Sequence, residues 1–249
     1  GLMETSLDSF LDGRLRIAQP VNGYRAATDP VFLAASVPVQ AGQSVLDVGC
    51  GVGVATLCLN TRVSGLDLVG VEIQSEYAEL ARENAVRNDV QVVVENSDLA
   101  TLSADFRTQV FDHVMTNPPF FEPNKQSTPK NAEKTVAHVE TLSLPTWIAL
   151  SLRRLRPKGS FTIIHLSERL PEILGALNGA CGDLRVLPIA SRVGKPAKRV
   201  LVQGIKTSKA PMRLLAPLIV HDGEQHVIDG DDFAEGARNI LRNGAAIKL

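Results

Sequence analysis

Short apolar runs alternate with longer amphipathic stretches along most of this chain. The runs are rich in Val and Leu and have the length of buried strands; the predicted strands are Ser44 to Val48, Leu68 to Glu72, Val90 to Val94, Phe111 to Thr116 and Ser160 to Leu166. The amphipathic stretches have helical spacing; the predicted helices are Val54 to Arg62, Ser75 to Arg87 and Leu144 to Leu155, after a leading helix that includes Leu33 to Val37. This alternation predicts an α/β fold with a mostly parallel, twisted sheet and helices on both faces.

The pattern changes towards the C-terminus. Two strand-like runs, Leu184 to Ile189 and Arg199 to Ile205, are separated by a short link. Such a link joins antiparallel strands, so we expect the sheet to end in an antiparallel edge hairpin. Beyond it we expect a β-ribbon, formed by Leu218 to Val220 and His226 to Ile228, and an amphipathic helix from Phe233 to Leu241.

An acidic residue and three glycines mark the end of the first predicted strand. Asp47 is followed by Gly49, Gly51 and Gly53 at every second position. Glycines permit a tight turn and the close approach of a ligand to the backbone. Val54 stands where the dinucleotide-binding fingerprint requires its third glycine, which argues against NAD or FAD. Asp47 would repel a pyrophosphate, whereas it suits an ammonium or sulfonium cation.

Two further acids stand at the ends of the next predicted strands. Glu72 ends the second strand, and a carboxylate at that point of a βαβ unit commonly accepts hydrogen bonds from ribose hydroxyls. Asp98 follows the third strand and can accept a hydrogen bond from an adenine amino group. Any one of these acids taken alone is more typical of a solvated loop carboxylate than of a binding site. Their occurrence at successive strand ends indicates one nucleoside-binding site.

The tetrapeptide Asn117-Pro118-Pro119-Phe120 follows the fourth predicted strand. Asn117 offers a carbonyl acceptor, and the prolines stiffen the loop and present further carbonyl acceptors. Phe120 adds a flat apolar face. Together these groups suit a planar amine, whose hydrogens they can hold while the ring stacks on its π-system. The alternative is a purely structural turn, since Asn and Pro are common turn residues.

These motifs, in this order, resemble the class I S-adenosylmethionine-dependent methyltransferases, in the branch that methylates planar nitrogens. Within that branch, Gly23 to Asp29 is similar to a segment of the bacterial adenine-N6 methyltransferases that act on valine tRNA beside the anticodon. The resemblance spans roughly residues 14–207 and implies a Rossmann-like fold with S-adenosylmethionine as cofactor. We expect a single domain, in which an N-terminal extension (1–40) packs on the cofactor site, followed by the core (41–209) and a C-terminal ribbon and helix cap (210–249).

The resemblance further implies two groups of site residues. The first binds the cofactor from its methionine end to its adenine: Asp47, Gly49, Gly51, Gly53, Glu72, Asp98, Leu99 and Asn117. Thr28 and Asp29 would close this pocket from the N-terminal side. The second group binds the acceptor: Asn117, Pro118, Pro119, Phe120 and Phe121. Cys50 departs from the family pattern, where a small residue such as Ala is common, and we interpret it as a small hydrophobic residue.

Two stretches outside these motifs are predicted to contact the substrate. The polar segment from Phe121 to Glu140 lacks a clear period and is expected to be a substrate lid, with plain disorder as the alternative. The net charge of −1 hides a basic stretch from Arg192 to Arg213, which holds seven cations and no acid. Such a stretch is either a solvated face or an edge that contacts RNA phosphates. We predict RNA contacts from Arg192, Lys195, Lys198 and Arg199.

Bulk properties complete the prediction. The 249 residues are 44% hydrophobic, with no apolar stretch long enough for a membrane span and no export signal at the start, so we expect a cytoplasmic enzyme. The three cysteines lack metal-ligand spacing, so no metal is expected. We predict methyl transfer to an exocyclic amine, preferably adenine N6 in tRNA. The alternatives are glutamine N5 of a protein, guanine N2 of ribosomal RNA, and a non-catalytic RNA-binding module that keeps the fold.

Overall fold

The computed structural model describes residues 3–23, 27–119, 142–227 and 230–249. In chain order its strands and helices are β1 (Thr5–Phe10), β2 (Leu15–Pro20), α1 (Asp29–Ser36), β3 (Ser44–Val48), α2 (Val54–Arg62), β4 (Asp67–Val71), α3 (Ser75–Arg87), β5 (Val93–Glu95), β6 (Phe111–Thr116), α4 (Leu144–Leu152), β7 (Leu155–Leu166), α5 (Leu170–Leu177), β8 (Cys181–Ala190), β9 (Arg199–Lys206), β10 (Arg213–Leu214), β11 (Leu218–Ile219) and α6 (Glu235–Asn243).

A mixed sheet of nine strands, counted over the described residues, forms the centre of the fold. Strands β5, β4, β3, β6 and β7 are neighbours in that order and run parallel, while β9 pairs antiparallel with both β7 and β8. The predicted α/β fold with an antiparallel edge hairpin is therefore confirmed. Because β3, β4, β5 and β6 are parallel, their carboxyl ends meet at one edge of the sheet, which is where ligands bind in such folds.

The two faces of the sheet pack into separate hydrophobic clusters. Successive residues of a strand point to opposite faces, so in β6 Met115 joins the cluster that contains Phe32 and Leu57, whereas Val114 joins the one that contains Ile148 and Phe161. The first cluster packs α1 and α2 against the sheet, and the second packs α4 and α5. Strands buried on both faces are continuous apolar runs, which explains why the sequence pattern identified them.

Several predicted bounds differ from the structure. Helices α2 and α3 have the predicted ends, but α4 stops at Leu152 and β7 begins at Leu155. This strand continues through Pro157, Lys158 and Gly159 with a register shift against β6, and Lys158 has a φ of +68°. Pro157, Lys158 and Gly159, which are typical turn residues, thus cause an irregularity within β7 and do not end the strand.

The larger differences between the predicted elements and the structure lie near the N-terminus and in the C-terminal part of the chain. The hairpin β1–β2 and helix α5 were not predicted. The predicted C-terminal β-ribbon is wrong for the described residues: Leu218 and Ile219 pair in parallel with Ile189 and Ala190 of β8, and His226 and Val227 belong to no strand. Ile228, the last residue of the predicted ribbon, lies outside the described residues. The predicted lid, Phe121 to Glu140, lies outside the described residues. No helix among the described ranges combines the length and apolar character needed to cross a membrane.

Candidate cofactor and acceptor site

Two adjoining cavities open at the carboxyl ends of the parallel strands. The larger has a volume of about 330 Å³ and the smaller about 50 Å³. Both are lined by Gly49, Gly51, Tyr77 and Asn117, so they form one continuous site. The larger cavity brings together eight of the predicted site residues: Gly49, Gly51, Glu72, Asp98, Leu99, Asn117, Pro118 and Pro119. Asp47 lines the smaller one.

The turn between β3 and α2 requires glycine because of its backbone conformation. Gly49, Gly51 and Gly53 have φ values of +72°, +55° and +98°, in the left-handed region that side chains avoid. A Cβ at Gly49 would also lie 2.9 Å from Cζ2 of Trp147. Gly53 begins α2 and lines neither cavity, so the structure places it behind the site and not in its wall.

Glu72 joins the glycine turn to the end of β4. Its Oε1 accepts a hydrogen bond from the Gly51 N–H at 2.8 Å, and its Oε2 accepts one from the Gln74 N–H at 2.9 Å. The side chain is buried. These two bonds hold the carboxylate at the cavity wall.

Asp47 is a second buried carboxyl group, on the neighbouring strand. The Thr56 hydroxyl donates to its Oδ2 at 2.8 Å. Burial raises the pKa of Asp47 to about 7, the Thr56 hydrogen bond opposes this shift, and the charge of Glu72 adds to it. Two acids so close to one turn make this end of the site favourable for a cation.

Asp98 and Leu99 form the far wall of the larger cavity. Asp98 Oδ1 accepts a hydrogen bond from the Ala100 N–H at 2.9 Å and so caps the short helical turn that begins at Leu99. Leu99 is buried. An apolar side chain next to a carboxylate suits a planar, partly polar ring such as a nucleobase.

Asn117, Pro118 and Pro119 line the cavity directly after β6. Asn117 lies where the two cavities meet, since it lines both. Phe120 and Phe121 lie outside the described residues, so their predicted contacts stay predictions.

Sequence reasoning missed a hydrogen-bonded pair that fixes the two central loops. Trp147 of α4 lines the larger cavity, and its Nε1 donates to the Thr116 hydroxyl at 2.9 Å. That hydroxyl donates to the Val48 carbonyl at 2.8 Å. Thr116 precedes Asn117 and Val48 precedes Gly49, so this pair sets the spacing between the acceptor loop and the glycine turn. A lone Trp carries no spacing signal that would have identified it.

The N-terminal side of the pocket is not lined by the two residues that were predicted to close it, Thr28 and Asp29. Thr28 precedes α1 and lines a separate cavity, and Asp29 forms an ion pair with Arg199 at 3.0 Å. Neither residue lines the two cavities of the site. Pro30 and Gln19 do so instead, beside Asp47.

The basic stretch divides into anchoring and exposed cations. Arg192 pairs with Asp232 at 2.6 Å, and Arg199 pairs with Asp29, so both arginines hold parts of the protein together. Lys195 and Lys198 are exposed and form no ion pair with a described residue. A run of like charges in the sequence therefore does not remain one uniform surface.

No group of three or more His, Cys, Asp and Glu side chains that could hold a metal occurs among the described residues. Cys50 is buried against β4, where a Cβ at Gly70 would lie 2.7 Å from its Sγ. Burial, with the charges of Asp47 and Glu72, raises the pKa of the Cys50 thiol well above its usual range. Cys50 therefore packs as a neutral, small side chain.

A Rossmann-like sheet with this site defines a class I S-adenosylmethionine-dependent methyltransferase. Comparison with known proteins agrees: the family model described as methyltransferase small domain matches residues 27–186. The chain belongs to this family, and it is an enzyme that transfers methyl groups from S-adenosylmethionine.

Individual relatives and solved structures are consistent with this assignment. A protein from Porphyromonas gingivalis is 30% identical over 212 residues, 80% of each chain, and one from Cronobacter sakazakii is 31% identical over 184 residues, 72% of this chain and 74% of the relative. Both are named tRNA1(Val) (adenine(37)-N6)-methyltransferase. A crystal structure from Agrobacterium tumefaciens, described as a predicted O-methyltransferase, has a TM-score of 0.70 at 24% identity and covers 89% of this chain and 99% of that one.

A ribosomal RNA enzyme shares the fold as well. The T. thermophilus 16S rRNA guanine-N2 methyltransferase, in complex with S-adenosylmethionine and guanosine, has a TM-score of 0.56 at 20% identity and covers 83% of this chain and 51% of that one. At such identities the two solved structures support the fold alone.

The residues present fit this cofactor. The larger cavity has carboxylates at Glu72 and Asp98 for hydroxyl and amino donors, and Leu99 for an apolar ring face. The smaller cavity has the buried Asp47 for a cation.

Proposed function

We propose that this enzyme methylates an exocyclic amine, adenine N6 of tRNA. The observation that carries the proposal is the position of Asn117, Pro118 and Pro119, which line the same cavity as Glu72 and Asp98, the two acids that we assign to the nucleoside of the cofactor. The names of the relatives from P. gingivalis and C. sakazakii support the choice of tRNA.

The acceptor loop holds the amine for transfer. The Asn117 side-chain carbonyl and the Pro118 carbonyl accept hydrogen bonds from the two amine hydrogens, which leaves the nitrogen lone pair directed into the cavity. The bound cofactor supplies a methyl group on a sulfonium, which is a good leaving group. Because such a reaction needs mainly alignment within about 3–3.5 Å, the Thr116–Trp147 pair contributes by holding the loop still. The released proton leaves to water, and no strong base is required.

The exposed lysines lie at the same edge of the sheet as this loop. Lys195 and Lys198 belong to the link between β8 and β9, which is tied to the end of β7 by a hydrogen bond from the Ser167 hydroxyl to the Ala197 carbonyl at 2.6 Å. Since β7 is parallel to β6, its carboxyl end lies beside Asn117. We therefore assign phosphate contacts to the two lysines, and we assign to Arg192 and Arg199 the anchoring of the link.

The test measures methyl transfer from labelled cofactor into tRNA over a range of salt concentrations. The double variant Lys195→Glu/Lys198→Glu should weaken tRNA binding and reduce the log–log salt slope by about 1.4–1.8, which is 0.7–0.9 for each phosphate contact. Cofactor affinity should not change. The matched control, Arg153→Glu/Lys158→Glu, makes the same charge change at the opposite edge, where β7 begins, and should leave the slope unchanged.

The product identifies the acceptor. Mass spectrometry of the labelled RNA should show N6-methyladenosine. Label as N2-methylguanosine in ribosomal RNA, or as methylglutamine in a protein, would replace the proposed acceptor by one of the alternatives. Equal salt slopes in the two double variants would remove the lysine contacts but keep the acceptor.

A further inference from the structure

The N-terminal hairpin forms one wall of the smaller cavity. Gln19 of β2 is buried and lines this cavity together with Asp47 and Pro30. Its Nε2 donates to Asp8 Oδ2 of β1 at 2.8 Å, which holds the side-chain amide in one orientation. A strand of the hairpin thus brings a fixed polar group next to the buried acid of the cofactor site.

Two Asn side chains, Asn84 of α3 and Asn88 directly after this helix, hold β2 in this position. Asn84 Oδ1 accepts from the Ala18 N–H at 2.8 Å, and its Nδ2 donates to the Ala18 carbonyl at 3.0 Å. Asn88 makes the same two bonds with Arg16, at 3.0 and 2.9 Å. Residues four apart on a helix are separated by about 6 Å and residues two apart on a strand by about 6.6 Å, so the amides match alternate backbone groups. The two amides thus make the hydrogen bonds that a neighbouring strand would otherwise make along this edge of β2.

Asn84 and Asn88 differ in the second hydrogen bond that each amide donates. Nδ2 of Asn84 donates to the Val52 carbonyl of the glycine turn at 2.9 Å, and this side chain is buried, whereas Nδ2 of Asn88 donates to the Asn84 carbonyl at 2.8 Å. One amide therefore connects α3, the hairpin and the turn that carries Gly49 and Gly51. This amide is therefore a direct hydrogen-bonded link through which a ligand at the turn can act on Ala18.

We propose that Gln19 is a binding residue for the amino-acid end of S-adenosylmethionine, and that Asn84 is the positioning residue that couples the hairpin to the cofactor turn. The amino-acid end carries an ammonium and a carboxylate. The smaller cavity offers the acid of Asp47 together with the neutral amide of Gln19, which can complement such a zwitterion without a net cation from the protein. The nucleoside end occupies the larger cavity, away from Gln19.

The first test compares two ligands on one variant. Gln19→Met keeps the length of the side chain and removes the amide. Its dissociation constant for S-adenosylmethionine, measured by calorimetry, should rise about tenfold or more, as for the loss of a hydrogen bond to a charged group. Its affinity for methylthioadenosine, which lacks the amino-acid end, should equal that of the parent. Unchanged affinity for S-adenosylmethionine, or an equal loss for both ligands, overturns the role of Gln19.

The second test separates coupling from simple support of the hairpin. Asn84→Asp and Asn88→Asp each lose their donated bond to β2, but only Asn84→Asp also loses the bond to Val52. We expect Asn84→Asp to weaken S-adenosylmethionine binding about tenfold more than Asn88→Asp does. In the parent, cofactor binding should slow hydrogen exchange at the Ala18 N–H, and Asn84→Asp should abolish this protection. Equal effects of the two variants on binding and exchange would show that Asn84 is only structural; if Asn84→Asp does not fold, the exchange response of the parent decides.

Discussion

Cofactor binding should depend on pH through Asp47. Burial raises the pKa of this carboxyl group to about 7, and the charge of Glu72 contributes in the same direction. The cationic cofactor favours the ionised form, so below pH 7 its binding must release the proton from Asp47. We therefore expect the affinity to rise with pH up to about 7 and to level off above it.

The size of the pH effect on cofactor affinity follows from the pKa of Asp47, about 7. About one unit below it, at roughly pH 6, only about a tenth of the free protein has an ionised Asp47, so the affinity should be about tenfold lower, or about 1.4 kcal/mol. The free energy of unfolding of the cofactor-free protein should change in the opposite direction and should fall as the pH rises. The folded-state pKa is raised above the unfolded one, so the folded protein binds more protons between about pH 4 and 7, and its stability falls as pH rises through that window, by at most about 4 kcal/mol.

The assay is calorimetry with S-adenosylmethionine across this pH range, in two buffers of different ionisation enthalpy. The parent should release up to one proton on binding at low pH. Asp47→Asn, which cannot ionise, should show weaker binding without pH dependence, whereas Asp67→Asn, at the exposed start of β4, should behave as the parent. A flat profile in the parent, or the same slope in Asp47→Asn, would refute the assignment of the proton to Asp47.

Three further predictions follow from the site geometry. Asn117→Ala should reduce turnover by about 10²–10³ with little change in cofactor affinity, and near-parental turnover would make the loop merely structural. Trp147 is the single tryptophan and lines the larger cavity, so its fluorescence should change on titration with cofactor; Trp147→Phe, which loses the bond to Thr116, should abolish that signal and lower kcat more than it raises KM for cofactor. Gly70→Ala should destabilise the fold by about 1–3 kcal/mol in denaturant unfolding, because the new Cβ would lie 2.7 Å from Cys50 Sγ; Cys50→Ala in the same chain should relieve part of this loss, and strictly additive effects would contradict the proposed clash.

Local signals were sufficient for the central part of the fold and for most of the acidic site. Helices α2 and α3 have the predicted ends because each lies between turn residues, with Gly53 before α2, Ser64 and Gly65 after it, and Asn88 and Asp89 after α3. Asp47, Glu72 and Asn117 come together because each lies at the carboxyl end of a parallel strand, and parallel strands place these ends at one edge of the sheet. The position of these residues at the strand ends is readable from the sequence, so the order of the motifs predicts that their side chains lie close together.

The tertiary structure decided what depends on contacts between distant segments. Whether a charged side chain faces solvent or an acid depends on the fold, and the pairing of Arg199 with Asp29 joins residues 170 positions apart. Gln19 enters the site because Asn84, 66 positions from the Ala18 backbone it holds, fixes β2 against α3. Trp147 likewise reaches Thr116 across 31 positions. The sequence by itself determined which strand ends carry the chemistry, and only packing decided which neighbours complete the site, because side-chain pairing over long separations leaves no periodic signal in the chain.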